Sequence, residues 1–293
     1  MVEKNSISKI GFIGLGLMGS RIANRMIDAG CDLLVYNRSH IKAVPLLEKG
    51  ATWCNSPALV GEKADIVFTM LTDPVAVEQI ALGSNGSLGA MKSNSLWVDL
   101  STVNPSFSRR MAEHANKLGI EFLDSPVSGS IGPAERGELT ILVGGKEVNF
   151  NTALPYLKIF GKKIIHAGGT GMGSSLKLVI NLMLGQSMLA LSESLLFGEK
   201  LGIPQNLLLD TLLGGPVTAP LMSAKRNKIE TEDFSPEFPL QHMAKDLRLI
   251  IESAQSLGIE MPSATITNQL YTKAVNNGFG ELDLSAILAS LKN

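Results

Sequence analysis

Cysteine is nearly missing from this chain of 293 residues, which contains only Cys31 and Cys54. A secreted scaffold held by disulfides would be shorter and richer in cysteine, so the pair points to a reducing compartment. Histidine is also scarce. His40, His114, His166 and His242 are scattered and meet no metal-ligand spacing with the cysteines, so no metal is expected. Net charge is almost absent, because 26 Lys and Arg against 27 Asp and Glu leave −1, with no charged tail or block. Phosphate contacts need concentrated Lys and Arg, which excludes nucleic acid as the main partner. Long apolar runs are lacking as well. Residues 10–20 imitate the apolar part of a signal peptide, but glycines interrupt them, Arg21 ends them and no cleavage pattern follows. Residues 178–192 carry no charge, yet they hold Asn181 and Gln186 and fall short of the ~18–20 needed to span a bilayer. The expectation is a cytoplasmic protein with no membrane partner.

What is present is core. Hydrophobic residues make up 45% of the chain and charged residues 18%, and the length suits two domains. Residues 9–13, 32–36, 65–70 and 96–100 read as buried strands, with shorter candidates at 121–123, 139–143 and 163–166. Helical patterns such as 20–29 and 74–82 lie between the first four. That alternation predicts βαβ units, hence a mainly parallel, doubly wound sheet of Rossmann type. After Gly168 the strand-like runs stop. Helical patterns follow, punctuated by prolines at 204, 216 and 262, each placed to open a helix. Residues 174–200 are apolar nearly all round, which predicts a long linking helix buried on several sides. The expected organisation is a nucleotide-binding domain over 1–167 and an all-α domain over 168–293 for substrate binding and oligomerisation.

Gly14-Leu15-Gly16-Leu17-Met18-Gly19 follows the first strand and opens the first helix. In a dinucleotide fold the first glycine makes the turn, the second admits the pyrophosphate, and the third lets helix and strand pack closely. A second strand ends about 20 residues later, which is the context this motif requires. An NAD site places Asp or Glu at that point. Here stand Asn37, Arg38 and Ser39, which can pair with and donate to a 2′-phosphate that a carboxylate would repel. NADP is therefore the expected cofactor. Met70 and Leu71, where the 65–70 run ends, complete the expected lining of its site.

Four separated stretches, residues 14–30, 99–102 (DLST), 124–137 (DSPVSGSIGPAERG) and 171–181 (GMGSSLKLVIN), together with Lys245-Asp246-Leu247, resemble the β-hydroxyacid dehydrogenase family. The resemblance implies a Rossmann domain, a linking helix and a helical second domain. It also implies that Lys177 is the catalytic proton donor, with Asn181 four residues on and so on the same helical face. By the same resemblance Ser128 and Gly129 bind the substrate carboxylate, Thr102 lies beside nicotinamide and substrate, Lys245 binds the cofactor and Asp246 organises the site. Two departures from the 3-hydroxyisobutyrate pattern are Gly129-Ser130 in place of Gly-Gly, and residues 238–242 (FPLQH) before Lys245. Both resemble the glyoxylate and succinic semialdehyde reductase branch, in which Phe238 would lie near the substrate. The expected activity is NADPH-dependent reduction of small aldehydo acids. An NAD(P)-dependent 3-hydroxyisobutyrate dehydrogenase is the alternative. A catalytically dead nucleotide-binding scaffold fits poorly, because Lys177 is retained. The linking helix also suggests a homo-oligomer, for which dimer and tetramer fit equally.

Overall fold

The computed structural model describes residues 9–292. The chain divides into two compact units, Met1–Lys177 and Leu178–Asn293. The first unit holds β1 (Ile10–Ile13), β2 (Leu33–Tyr36), β3 (Thr52–Trp53), β4 (Ile66–Thr69), β5 (Leu96–Asp99), β6 (Glu121–Asp124), β7 (Val127–Ser128), β8 (Leu139–Gly144) and β9 (Gly161–Gly168). They form one sheet in the order β3-β2-β1-β4-β5-β6-β8-β7, with β9 on β8. The strands β1 to β6 run parallel, β8 is antiparallel to β6 and β7, and β9 is parallel to β8. Its helices are α1 (Leu17–Asp28), α2 (Val44–Leu47), α3 (Pro57–Lys63), α4 (Pro74–Leu82), α5 (Pro105–Lys117), α6 (Ile131–Arg136), α7 (Glu147–Phe160) and the start of α8 (Met172–Lys200).

Every residue of β1, β4 and β5 is buried, as expected for parallel strands covered on both faces. Alternate side chains go to opposite faces. Phe12, Phe68 and Val98 pack with Ile22, Met26 and Phe160 on one side, while Ile13, Val67 and Trp97 pack with Val60, Val77 and Met111 on the other. Each large apolar side chain so buried contributes about 1.5–3 kcal/mol. Both tryptophans of the chain lie in this unit. Trp97 is fully buried, edge-on to Phe122, whereas half-buried Trp53 stacks on Tyr36 with ring centroids 5.8 Å apart. The strand β1 is flanked by β2 on one side and β4 on the other, which makes its carboxyl end the topological switch point where ligands bind in such sheets.

The second unit is helical, as expected: the rest of α8, α9 (Gln205–Gly214), α10 (Pro220–Ser223), α11 (Arg226–Thr231), α12 (Leu240–Ser256), α13 (Pro262–Ala274) and α14 (Ile287–Lys292). Leu178, Met188, Leu195, Met243, Leu247 and Tyr271 belong to its core.

Several expectations need correction. The two-residue strands β3 and β7 carry no readable period, and β9 is twice the length of the 163–166 run. Pro216 opens no helix: it follows Gly215 into a turn, and Pro220 opens α10 instead. Within the chain the long helix is covered only in part. Val179, Met183 and Phe197 are 60–68% exposed at positions that recur with helical spacing, so one face stays open in the chain. By length and composition alone α8 is the one helix among the described residues able to cross a membrane, and 44% of its most apolar window is buried in the chain.

Candidate active site

The glycine-rich turn begins where β1 ends. Gly14 has φ +102°, and a Cβ on it would lie 2.2 Å from the Met70 carbonyl oxygen, so the turn is pressed against the end of β4. A Cβ on Gly19 would lie 2.0 Å from the Gly14 oxygen, which holds α1 against the same turn. Gly16 differs, with open space where its Cβ would be. It caps α1 without any side-chain hydrogen bond, leaving first-turn N–H groups and the positive end of the helix dipole for an anion. The Leu15 N–H donates to Asn37 Oδ1 at 3.0 Å, and Asn37 Nδ2 donates to the Ser39 carbonyl, so Asn37 joins the turn to the end of β2. Arg38 and Ser39 are exposed beside it. Open space over Gly16 and uncapped donors at the start of α1 together fit a dinucleotide.

The neighbouring loops are wired to one another. The Leu71 N–H donates to Ser101 Oγ at 2.9 Å, and the Ser101 N–H and Thr69 Oγ1 both donate to Asp99 Oδ1. Trp97 Nε1 donates to Thr69 Oγ1. Asp99 thereby fixes the segments that carry Met70, Leu71 and half-buried Thr102. Burial raises its carboxyl to about 6; the Ser101 and Thr69 hydrogen bonds oppose that rise and the charge of Asp124 adds to it. Ser128 lies on β7 opposite Thr140, and Gly129 after it is exposed with φ +130°. An Arg21–Glu135 ion pair of 2.9 Å ties α1 to α6, the helix that follows this loop. Lys177 is buried, with 7% exposure, in the first turns of α8.

In the second unit Asn181 Nδ2 donates to Asp246 Oδ2 at 2.6 Å, and both residues are buried. Lys245 Nζ, expected at the cofactor, stands 2.7 Å from Asp246 Oδ1 as an ion pair. Asp246 Oδ1 and Asn181 Oδ1 are both buried and accept no hydrogen bond. Half-buried Phe238 sits 6.4 Å from the His242 ring. Its loop is held by Asp283, whose Oδ2 accepts the N–H groups of Glu237 and Phe238 and the Lys225 ammonium.

Asp99, Asp124, Lys225 and Asp283 are buried charged residues that the sequence reading left without a role. For the first two a signal existed: each is a carboxylate that closes a strand directly after apolar residues (WVD, FLD).

Comparison with known proteins places this geometry. Residues 9–169 match the NAD binding domain of 6-phosphogluconate dehydrogenase, and residues 171–291 match the profile described as NAD-binding of NADP-dependent 3-hydroxyisobutyrate dehydrogenase. The chain is 37% identical to glyoxylate/succinic semialdehyde reductase 2, chloroplastic, of Arabidopsis thaliana over 97% of its own length and 79% of that protein. It is 39% identical to a probable mitochondrial 3-hydroxyisobutyrate dehydrogenase of Dictyostelium discoideum, over 98% of this chain and 91% of that one. A crystal structure of 3-hydroxyisobutyrate dehydrogenase from Salmonella typhimurium superposes with a TM-score of 0.88 at 25% identity, covering 96% of this chain and 99% of the other.

Proposed function

The chain belongs to the β-hydroxyacid dehydrogenase family, the 3-hydroxyisobutyrate dehydrogenase-like proteins, and on that premise we propose that it reduces small aldehydo acids with NADPH, taking glyoxylate to glycolate and succinic semialdehyde to 4-hydroxybutyrate. An NAD(P)-dependent oxidoreductase of hydroxyacids is what membership itself entails. The observation that carries the finer reading is the Asn37-Arg38-Ser39 triplet at the end of β2, where an exposed guanidinium replaces the acid of an NAD site. Similarity to a glyoxylate/succinic semialdehyde reductase supports the choice of substrate.

When bound, the cofactor supplies hydride to the carbonyl carbon. The protein supplies the rest. Ser128 Oγ and the Gly129 N–H take the substrate carboxylate, and Lys177 Nζ gives its proton to the carbonyl oxygen as charge develops there. Asn181, Asp246 and Phe238 shape the pocket, while Gly14, Leu15, Gly16, Leu17, Met18, Gly19, Met70, Leu71, Thr102 and Lys245 hold the cofactor. We also assign the chain to a homo-oligomer, supported by the open apolar face of α8 at Val179, Met183 and Phe197.

Paired steady-state assays with NADPH and NADH, on the parent and on Lys177→Ala, test the reading. The parent should favour NADPH at least tenfold in kcat/KM. The variant should lose roughly 10²–10⁴ in kcat while still binding NADPH. A tenfold NADH preference would overturn the cofactor assignment, and normal turnover by Lys177→Ala the mechanism. A 3-hydroxyisobutyrate dehydrogenase is the second reading, favoured by the 39% identity to the Dictyostelium protein. Faster oxidation of 3-hydroxyisobutyrate than reduction of either aldehydo acid would select it.

A further inference from the structure

Asp124 closes β6 and is 1% exposed. Its Oδ1 accepts the Gly171 N–H at 2.7 Å and its Oδ2 accepts the Ser174 N–H at 2.8 Å. These are the donors that a helix opening at Met172 leaves unpaired. A helix usually takes its cap from the residue just before it. Here the cap comes from the sheet, 47 and 50 residues earlier in the chain. Ser174 Oγ is in turn paired with Ser108 Oγ of α5 at 2.8 Å.

Packing leaves this joint no slack. Gly144 of β8 is the register partner of Asp124, and a Cβ there would lie 2.5 Å from Asp124 Oδ1. A Cβ on Gly173 would lie 2.3 Å from the Leu142 carbonyl oxygen and 2.5 Å from that of Asp124. The first turn of α8 therefore rests directly on the backbone of β6 and β8. Lys177 comes three residues after Ser174, less than one turn along.

We infer that Asp124 is the positioning residue for Lys177, its carboxylate fixing the height and rotation of the turn that presents the ammonium. This rests on the reading of Lys177 as proton donor. A carboxylate gripping two N–H groups of one turn sets that turn both along and about the helix axis, which a single bond does not. A misplacement of about 1 Å at a reacting group can cost on the order of 10²-fold in rate.

The test is Asp124→Asn in the full chain, because the amide keeps one acceptor and loses the second along with the charge. With NADPH and an aldehydo acid, kcat should fall at least tenfold. The solvent deuterium isotope effect on kcat should rise, since proton delivery becomes slower, and the NADPH Kd should stay within twofold. A cap that merely stabilises the fold would lower Tm and leave both kcat and the isotope effect in place, and that outcome overturns the inference. Should Asp124→Asn not fold, Gly144→Ala decides, because it keeps the carboxylate and crowds it; the same kinetic pattern supports the role and an unchanged kcat sinks it. Lys177→Ala, assayed alongside, separates the two levels. Normal turnover there overturns the proton-donor reading, whereas an inactive Lys177→Ala beside a fully active Asp124→Asn overturns only the positioning role.

Discussion

Buried carboxylates are held differently in the two units. In the sheet unit, Asp99 and Asp124 are met by backbone N–H groups and hydroxyls. In the helical unit, Asp283 and Asp246 have the ammonium groups of Lys225 and Lys245 in addition to neutral donors: the N–H groups of Glu237, Phe238 and Ser285 at Asp283, and the Asn181 amide at Asp246. Loop and helix-start N–H groups serve carboxylates in both units; the difference is the lysine ammonium that stands beside each of these two carboxylates of the helical unit. The charge balance follows. Burial dominates at Asp99 and Asp124 and raises both carboxyls. Burial also pushes Asp283 upward, but the charge of Lys225 and the hydrogen bonds from Ser285 and Lys225 outweigh it, and the carboxyl ends below its ordinary value.

The hardest break of this contrast is Lys225→Met. It strands Asp283 without its buried cation, and losing one partner of such a pair costs about 3–5 kcal/mol. The midpoint of urea unfolding at pH 7 measures it. A loss below ~1 kcal/mol would mean that the N–H groups of Glu237 and Phe238 suffice, and the two units would then not differ.

Asp99 gives the next effect. Its folded value, about 6, lies above the ordinary 3.8, so between those values the folded chain binds a proton that the unfolded chain has lost. Stability therefore falls as pH rises through that window, by on the order of 3 kcal/mol in total, and the cost is complete above it. Asp99→Asn should flatten this part of a stability profile taken from pH 4 to 7. An equally steep profile in the variant would reject the assignment.

The smallest effect marks the exposed limit. Arg248 and Glu252 pair at i,i+4 on α12 with side chains about half exposed, so Glu252→Ala should cost no more than about 0.5 kcal/mol and less at high salt. A loss above ~1 kcal/mol would show that exposure is not what separates it from Lys225–Asp283.

The same contrast explains what could be read in the sequence. The glycine turn, the parallel strands and the switch to helices are local matters of period and turn chemistry, and the structure has them where the residues placed them. The triplet after β2 was legible too, because its position is counted along the chain from Gly14. Asp124 was visible only as part of a motif, since its partners lie 47 and 50 residues away and no local pattern announces a cap borrowed from a strand. Lys225 and Asp283, 58 residues apart, gave no signal at all. The open face of α8 could not be located in advance, because apolar composition does not say which side is covered within the chain.

The placement of the two tryptophans has an optical consequence. Trp53 stacks on Tyr36, the residue immediately before Asn37, and His40 meets it edge-on at 4.6 Å. Trp97 is sealed inside the sheet unit, and the helical unit has no indole at all. Emission excited at 295 nm thus reports on one half of the molecule: Trp53 on the nucleotide end, Trp97 on the integrity of the sheet. Melting of the helices is dark at that wavelength. The chain carries its own two-channel readout, in which far-ultraviolet dichroism follows both units while indole fluorescence follows one, and the gap between the two curves shows whether the halves unfold together.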